Sequence, residues 1–305
     1  MGAAPSRLRL GTRASPLARV QAEGVRAALA ARHPGLTVEL VFVRTTGDRV
    51  TGPLAAAGGK GLFVKEIEEA LLDGRIDAGV HSMKDVPARL AAGLVIGAVP
   101  ERADARDVLI GGDGGLAGLP PGARIGTASP RRRAQLLAHR PDLVVVLLRG
   151  NVDTRLRKWR AGEVDALLLA AAGLARLGIS EPAAQPLPVD EFLPAVGQGA
   201  LALECRADDG ATRALLAAVD QPAAATAVAA ERAFLAAVGG DCNSAIAAHA
   251  TLAGGRLTLR ALVIDPDGRR RLEERDTAPA ADAEALGRTV ATHLLAAGAA
   301  ALMGR

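Results

Sequence analysis

Short apolar segments alternate with amphipathic segments along most of the chain. Leu8 to Leu10 predicts a strand, Ser15 an N-cap with Pro16 at the first helical position, and Val38 to Val43 a second strand. The apolar positions expected on one face of the intervening helix are Leu17, Val20, Val25 and Leu29. The chain therefore begins as an alternating α/β protein.

A Gly- and Ala-rich stretch from Arg44 to Lys60 has little periodicity and predicts a mobile loop. A helix is expected next, from Gly61 to Leu72, with Phe63, Ile67 and Leu71 aligned on one face. Strands are predicted at Ala78 to Val80 and Leu94 to Val99, with a sharp segment from Ser82 to Pro87 between them.

The alternation restarts near residue 100 and contains an echo of the first segment. Residues 11–16 (GTRASP) and residues 126–130 (GTASP) each join a predicted strand to a predicted helix. The further strands expected here are Val108 to Ile110, Arg124 to Gly126, Leu143 to Leu148 and Ala166 to Leu169. This repetition predicts two similar α/β lobes with mainly parallel sheets, which receive ligands at the carboxyl ends of their strands.

The final third has a different pattern. Strands are predicted at Ala245 to Leu252, Leu257 to Ile264 and Arg270 to Asp276, followed by an Ala-rich helix from Asp282 to Leu302. We therefore expect a small C-terminal α+β domain over residues 220–305. The first lobe is expected over residues 1–100 and about 198–219, with Leu201 to Cys205 as a returning strand, and the second over residues 101–197.

Composition narrows the classes of function. The chain has 305 residues, 50% of them hydrophobic, and 37 basic residues against 33 acidic ones, for a net charge of +4. Aromatic residues make up only 2%, which argues against stacking platforms for single-stranded nucleic acid. Apolar runs are too short for a membrane helix and no signal core is visible, so we expect a cytoplasmic protein. Five scattered histidines predict no metal site, and two cysteines suit a reducing compartment.

Arginines lie where the predicted elements would present them to an anion. Arg13 and the triplet Arg131 to Arg133 accompany the two Ser-Pro helix starts, whose free N–H groups attract negative charge. Further arginines follow predicted strands, namely Arg149, Arg155 and Arg176. Each has an ordinary surface alternative, and the triplet by itself fits a solvated helix face. Together they predict a basic cleft for a ligand with several carboxylates.

Two short segments carry the remaining candidate chemistry. Lys84 and Asp85 follow a buried-looking strand, and they fit either a capped turn with a surface ion pair or a catalytic carboxylate. Cys242 lies in a Gly-flanked loop, where it is either a small buried residue or an exposed nucleophile or attachment point. Cys205, inside a predicted strand, is expected to be a buried hydrophobic residue.

Several motifs resemble the hydroxymethylbilane synthase family, also called porphobilinogen deaminase. They are residues 13–18 (RASPLA), 58–66 (GGKGLFVKE), 81–87 (HSMKDVP), 149–152 (RGNV) with Arg155, and 197–201 (GQGAL). The resemblance is colinear over nearly the whole chain. It implies two periplasmic-binding-protein-like (type II) lobes around a cleft, with a third α+β domain that carries the cofactor.

The resemblance also implies an activity. The family is a transferase of porphyrin and other tetrapyrrole biosynthesis, including heme biosynthesis. It condenses four porphobilinogen molecules head to tail with loss of four ammonia molecules. The product grows on a covalent dipyrromethane cofactor, and linear hydroxymethylbilane is then released by hydrolysis. We expect a monomer that acts on this small molecule and binds neither nucleic acid nor membrane.

Site residues follow from the resemblance position by position. Asp85 matches the catalytic carboxylate, which would stabilise the cation formed when ammonia leaves. Cys242 matches the residue that holds dipyrromethane through a thioether. The matching cofactor-binding residues are Lys84, Thr127, Ser129, Arg131, Arg132 and Arg155. The matching substrate-binding residues are Arg13, Ser15, Arg149, Arg155, Arg176, Lys60 and Phe63.

Some positions depart from the family or stay open. Phe63 fits either a mobile loop over the cleft or the core face of its own helix, and Arg133 has no family counterpart and is expected at the surface. Residues 54–57 (LAAA) lack a lysine that some members carry, and Asp241 beside Cys242 would raise the pKa of the thiol. The competing function is a two-lobed anion-binding protein without chemistry, with nucleic-acid binding a distant third.

Overall fold

The computed structural model describes residues 6–49, 61–240 and 244–303. The strands, in chain order, are β1 Arg7–Arg13, β2 Thr37–Val43, β3 Ala78–Ser82, β4 Leu94–Ala98, β5 Asp107–Ile110, β6 Arg124–Thr127, β7 Val144–Leu147, β8 Ala166–Ala170, β9 Ala184–Pro186, β10 Leu201–Arg206, β11 Ile246–Ala253, β12 Arg256–Ile264 and β13 Arg271–Pro279. The α-helices are α1 Pro16–Arg32, α2 Thr46–Arg49, α3 Lys65–Leu72, α4 Pro130–His139, α5 Val152–Arg160, α6 Ala171–Arg176, α7 Gly210–Ala217, α8 Pro222–Val238, α9 Ala283–Ala296 and α10 Ala299–Leu302.

The chain divides into two compact units. The first comprises Met1–Ala103 and Ala200–Thr226, and the second comprises Asp104–Gly199 and Ala227–Arg305.

A five-stranded sheet with the order β2-β1-β3-β10-β4 forms the centre of the first unit. Strand β10 runs antiparallel to both of its neighbours, so the other four strands share one direction. Helices α1 and α7 pack on one face through Val25, Leu29 and Leu216, whereas Ile67 and Leu71 of α3 pack in a separate core. The mainly parallel α/β sheet expected from the sequence is confirmed.

The first helix starts where the sequence predicts, but its buried face differs. The Ser15 hydroxyl accepts a hydrogen bond from the Ala18 N–H at 3.4 Å, and Pro16 takes the first turn. Ala18, Ala22, Val25 and Leu29 are buried, whereas Val20 is 41% exposed. The prediction for Val20 was wrong because the buried stripe runs through Ala18, Ala22, Val25 and Leu29 at spacings of three and four residues, and Val20 lies off that stripe.

The helix expected at Gly61 to Leu72 begins only at Lys65. Ile67 and Leu71 are buried as predicted, but Phe63 lies in the preceding turn and is half-buried. The loop expected from Arg44 to Lys60 includes the short helix α2, while residues 50–60 lie outside the described part of the chain.

The second unit contains a sheet of the same design, with the order β7-β6-β8-β5-β9. Here β5 is the strand that runs against the other four, as β10 is in the first sheet. Leu136 of α4 joins one core of this sheet, and Leu156 of α5 and Leu174 of α6 join another. The predicted echo is confirmed: β6 leads through Ser129 and Pro130 into α4 as β1 leads through Ser15 and Pro16 into α1.

The C-terminal part is the small α+β element expected from the sequence. Strands β11, β12 and β13 form an antiparallel sheet, and helices α8 and α9 pack against it through Phe234, Leu286 and Val290. The predicted helix from Asp282 to Leu302 is interrupted, because Gly298 adopts a positive φ of 96° between α9 and α10.

Candidate active site

Asp85 lies at the end of a short turn that extends strand β3. The turn is a 3-10 helix over Met83–Asp85, fixed by the buried Met83 side chain and by a 3.0 Å hydrogen bond from the Met83 N–H to the Ala200 carbonyl. The Asp85 side chain is half-buried, and its carboxylate has no hydrogen bond or ion pair among the described residues. A rigidly placed carboxylate without an internal partner is available to accept N–H groups of a ligand.

The last residues of β3, directly before this turn, make polar contacts with neighbouring elements. Ser82 shares a 3.0 Å hydrogen bond with Gln21 of α1. His81 is buried beside the fully buried Glu204 of β10, with 3.0 Å between His81 Nε2 and Glu204 Oε2, although the two groups are not aligned as a hydrogen bond. Lys84, half-buried, makes polar interactions of its own.

Arg13, Ser15 and Phe63 lie together in the first unit. The Arg13 guanidinium carbon is 4.2 Å from the centre of the Phe63 ring, and Ser15 caps α1. Gly47 also approaches the Phe63 ring closely, since a Cβ added to Gly47 would lie 2.2 Å from Cε1. Phe63 is therefore neither on the core face of α3 nor free of contacts: it supports Arg13.

A second group surrounds the N-terminus of α4 in the second unit. The Ser129 hydroxyl caps the helix by accepting from the Arg132 N–H at 3.4 Å, and Thr127 Oγ1 accepts from the Ser129 N–H at 3.2 Å. The Arg131 and Arg132 side chains are only 5% and 6% exposed. Both are too buried for the solvated helix face that was the alternative for this triplet. Arg133 is at the surface, as expected, 3.4 Å from Asp267.

The two buried arginines share one buried acid, Asp107. Its carboxylate lies 2.6 Å from Arg131 Nη1 and 2.6 Å from Arg132 Nη2. Burial alone would raise the pKa of Asp107, but the charges and hydrogen bonds of the two guanidinium groups lower it far below its ordinary value. Burial also lowers the pKa of Arg132, an effect that Asp107 opposes.

Three further arginines follow strands of the same sheet. Arg155 donates from Nε to the Gly150 carbonyl at 2.7 Å, and Arg176 donates to the Gly199 carbonyl at 2.7 Å. Burial lowers the pKa of Arg176. The Nη1 atom of Arg149 is buried and has no partner among the described residues.

The remaining sequence predictions concern residues outside these two groups. Lys60 and Cys242 lie outside the described residues, as do residues 54–57 and Asp241. Cys205 is fully buried, and burial raises the pKa of its thiol to about 11, which confirms it as an inert core residue. The described residues contain no cluster of three or more His, Cys, Asp or Glu side chains able to hold a metal. Within them, no helix is both long and apolar enough to cross a membrane.

Sequence reasoning missed two residues of the second group. Asp107 opens an otherwise apolar strand, and an acid in that position was the available signal for a buried charge pair. Gln198 belongs to a quoted motif but had received no role. Its side-chain amide donates to Asp107 Oδ1 at 3.0 Å and to the Ala105 carbonyl at 2.7 Å.

The two Ser-Pro helix starts of this α/β protein each carry arginine, and the first unit also holds Asp85, which is unpaired among the described residues. These are features that suit a protein that binds small polyanions and carries out acid–base chemistry. Comparison with known proteins specifies the class. The family model "Porphobilinogen deaminase, dipyromethane cofactor binding domain" matches residues 8–214, and "Porphobilinogen deaminase, C-terminal domain" matches residues 225–296.

Curated relatives are similar over almost the whole chain. Porphobilinogen deaminase of Syntrophotalea carbinolica is 55% identical over 296 residues, covering 96% of this chain and 94% of that protein. The enzyme of Geobacter sulfurreducens is 51% identical and covers 96% and 92%. Among solved structures, the methionine binding protein MetQ is 15% identical, with a TM-score of 0.44, covering 70% of this chain and 90% of that one. The chain belongs to the porphobilinogen deaminase family.

Membership confirms the activity expected from the motifs. The chain is a transferase of tetrapyrrole biosynthesis with hydroxymethylbilane synthase function, and its cofactor is dipyrromethane.

The residues present fit such a cofactor. Each pyrrole ring carries acetate and propionate groups, so the ligand is a polycarboxylate. Arg131 Nε and Arg149 Nη1 are buried guanidinium nitrogens with no partner among the described residues, and a carboxylate oxygen is the acceptor that such donors need.

Proposed function

We propose that Asp85 is the catalytic carboxylate of this transferase. Porphobilinogen loses ammonia to give a cation, and a fixed negative charge near the pyrrole nitrogens stabilises that cation. The observation that supports this role is the carboxylate itself: it is held on the rigid Met83–Asp85 turn, half-buried, and unpaired within the described residues. As a base, the Asp85 carboxylate can also accept the proton that the newly added ring loses.

We further propose that Cys242 holds dipyrromethane through a thioether. Cys205, the other cysteine, is unsuited because its buried thiol has a pKa raised to about 11. When bound, the cofactor supplies the pyrrole carbon on which the first porphobilinogen is added.

We propose that the other sequence-predicted residues either bind carboxylates or support residues that do. We propose that the second unit supplies Thr127, Ser129, Arg131, Arg132, Arg149, Arg155 and Arg176. The first unit supplies Arg13, Ser15, Lys60, Phe63 and Lys84. In the first unit Phe63 acts indirectly, because its ring contacts the Arg13 guanidinium and limits the conformations that Arg13 can adopt.

The domain division and the setting are also proposals. We propose a first lobe over residues 1–100 and about 198–219, a second over residues 101–197, and a cofactor-carrying domain over residues 220–305. A monomer in the cytoplasm fits the chemistry, since a thioether requires a free thiol and a reducing compartment preserves one. We expect no binding to nucleic acid or membrane. Sedimentation velocity of the purified protein tests the monomer, and a dimer mass would contradict it.

The attachment residue is tested by intact-protein mass spectrometry of freshly purified protein beside Cys242→Ser. We expect an excess over the sequence mass equal to two linked pyrrole units in the wild type and none in the variant. An unmodified wild type that gains no mass when porphobilinogen is added would contradict the proposal and favour an anion-binding protein without chemistry. The same excess in Cys242→Ser would place the attachment elsewhere.

The catalytic role is tested by Asp85→Asn. We expect the variant to fold and carry the cofactor mass, yet to lose turnover of porphobilinogen by about a hundredfold or more, as expected when a charge that stabilises the transition state is removed. Asp208→Asn is the control, because Asp208 is an exposed acid of the same unit, and its turnover should equal that of the wild type. Turnover of Asp85→Asn near the wild-type rate would remove Asp85 from this role.

A further inference from the structure

Within the described residues, the Asp107 carboxylate accepts five hydrogen bonds from three side chains. Its Oδ1 accepts from Arg132 Nε at 2.9 Å and Nη2 at 2.6 Å, from Arg131 Nη2 at 3.2 Å and from Gln198 Nε2 at 3.0 Å. Its Oδ2 accepts from Arg131 Nη1 at 2.6 Å. The residue is fully buried at the start of β5, so the position of the carboxylate is fixed by the sheet.

The same arginines are held on their other sides by main-chain carbonyls. Arg131 Nη1 donates to the Leu193 carbonyl at 2.8 Å, and Arg132 Nη1 donates to the Leu168 carbonyl at 2.9 Å. A guanidinium has five N–H groups in a planar fork, so two acceptors at different edges fix its plane. Neither arginine can turn without breaking charge-assisted hydrogen bonds in a buried environment.

The charges of this cluster do not cancel. Two guanidinium groups and one carboxylate leave one positive charge in excess, and both arginines lie in the first turn of α4, where the helix dipole already disfavours cations. Arg131 Nε is buried without a partner among the described residues. A buried cluster with one excess positive charge and an unused donor is incomplete, and an anion completes it.

We infer that Asp107 is a positioning residue: together with Gln198 it fixes Arg131 and Arg132 so that their remaining N–H donors and one excess positive charge meet a carboxylate of the dipyrromethane cofactor. This inference rests on the proposed cofactor-binding role of the two arginines. It gives a role to the 197–201 motif, since Gln198 ties that segment to the anion-binding arginines. Asp107 itself, as an acid, does not contact the anionic ligand.

The experiment measures cofactor acquisition rather than turnover. Asp107→Asn, Asp107→Glu and Gln198→Met are purified, and mass spectrometry follows the fraction with cofactor and the rate at which unloaded molecules gain mass from added porphobilinogen. We expect acquisition to slow about tenfold in Asp107→Glu, equivalent to about 1.4 kcal/mol from misaligned charge-assisted hydrogen bonds. The KM of loaded molecules for porphobilinogen should be unchanged.

The variants separate positioning from folding. Asp107→Asn leaves two buried cations without a counter-charge, which destabilises the fold. Slow cofactor acquisition in this variant therefore does not by itself separate positioning from folding. Asp107→Glu keeps the charge but moves the oxygens by one methylene. If it folds and acquires the cofactor at the wild-type rate, whatever its thermal stability, the exact placement of the carboxylate is not needed for acquisition and the inference is overturned. If it also misfolds, Gln198→Met decides: slowed acquisition supports the inference, and unchanged acquisition overturns it.

Asp165→Asn is the matched control. Asp165, directly before β8, accepts from the side chain of Arg124 in β6 at 2.8 Å, but this pair is exposed and lies outside the α4 cluster. We expect wild-type acquisition. Failure of the proposed function gives a different result, since the wild type itself would then carry and acquire no dipyrromethane mass. If the wild type and the control carry the cofactor and the Asp107 variants acquire it at the same rate, only the positioning role is overturned.

Discussion

Replacing Glu231 by Gln tests how far the second unit depends on one buried carboxylate. Glu231 of α8 is fully buried, and its two oxygens accept from the Gly197 N–H at 2.7 Å and the Ala250 N–H at 2.8 Å. The carboxylate therefore joins the helix, the 197–201 segment and strand β11. An amide has only one acceptor oxygen, so Gln turns an NH₂ group toward one of these N–H donors.

The cost follows from that mismatch. One charge-assisted hydrogen bond is lost and one buried N–H is left unsatisfied, which costs about 1–3 kcal/mol. At about 2–4 °C per kcal/mol for a unit of this size, the thermal midpoint should fall by about 2–12 °C.

Thermal unfolding followed by circular dichroism provides the measurement, with Glu284→Gln as the control. Glu284 forms an exposed pair with Arg288, its side chain being 69% exposed, and losing it should cost at most about 0.5 kcal/mol. A midpoint for Glu231→Gln no lower than that of Glu284→Gln would refute the reasoning.

Two further predictions concern ionisable groups of the first unit. Burial raises the pKa of Glu68 above its ordinary 4.5, although a hydrogen bond from the Ala91 N–H opposes the rise. Folding therefore disfavours the ionised form of Glu68. The free energy of unfolding of the protein decreases as pH rises through the raised pKa of Glu68. Glu68→Gln, which keeps an acceptor for Ala91, should therefore be more stable than wild type in urea at about pH 7 and equal to it below about pH 4; the same difference at both pH values would contradict this. For Cys205, we expect no alkylation by iodoacetamide at about pH 8 until the protein unfolds, because burial raises the thiol pKa to about 11; peptide mapping that finds modified Cys205 in folded protein would contradict it.

Local patterns in the sequence predicted most of the elements. The strand positions, the two Ser-Pro helix starts and the C-terminal α+β part follow from periodicity and capping, which depend on residues a few positions apart. The wrong predictions also came from local sequence patterns. Val20 was assigned to a buried face because its spacing from Leu17 and Val25 places it near one side of the helix, and the last helix was drawn through Gly298 because its Ala-rich flanks favour helix.

The tertiary structure decided which charges meet. Asp107 and Arg131 are 24 positions apart, and Asp107 and Gln198 are 91 apart, so no spacing rule links them. Their contact depends on β5 entering the sheet beside β8, against the direction of the other strands. The sequence by itself predicted a set of anion-binding arginines, because their positions beside helix starts and strand ends have a local electrostatic reason. Only the folded chain shows the buried carboxylate between two of them, because a buried ion pair is selected by long-range packing and leaves no periodic trace in the sequence.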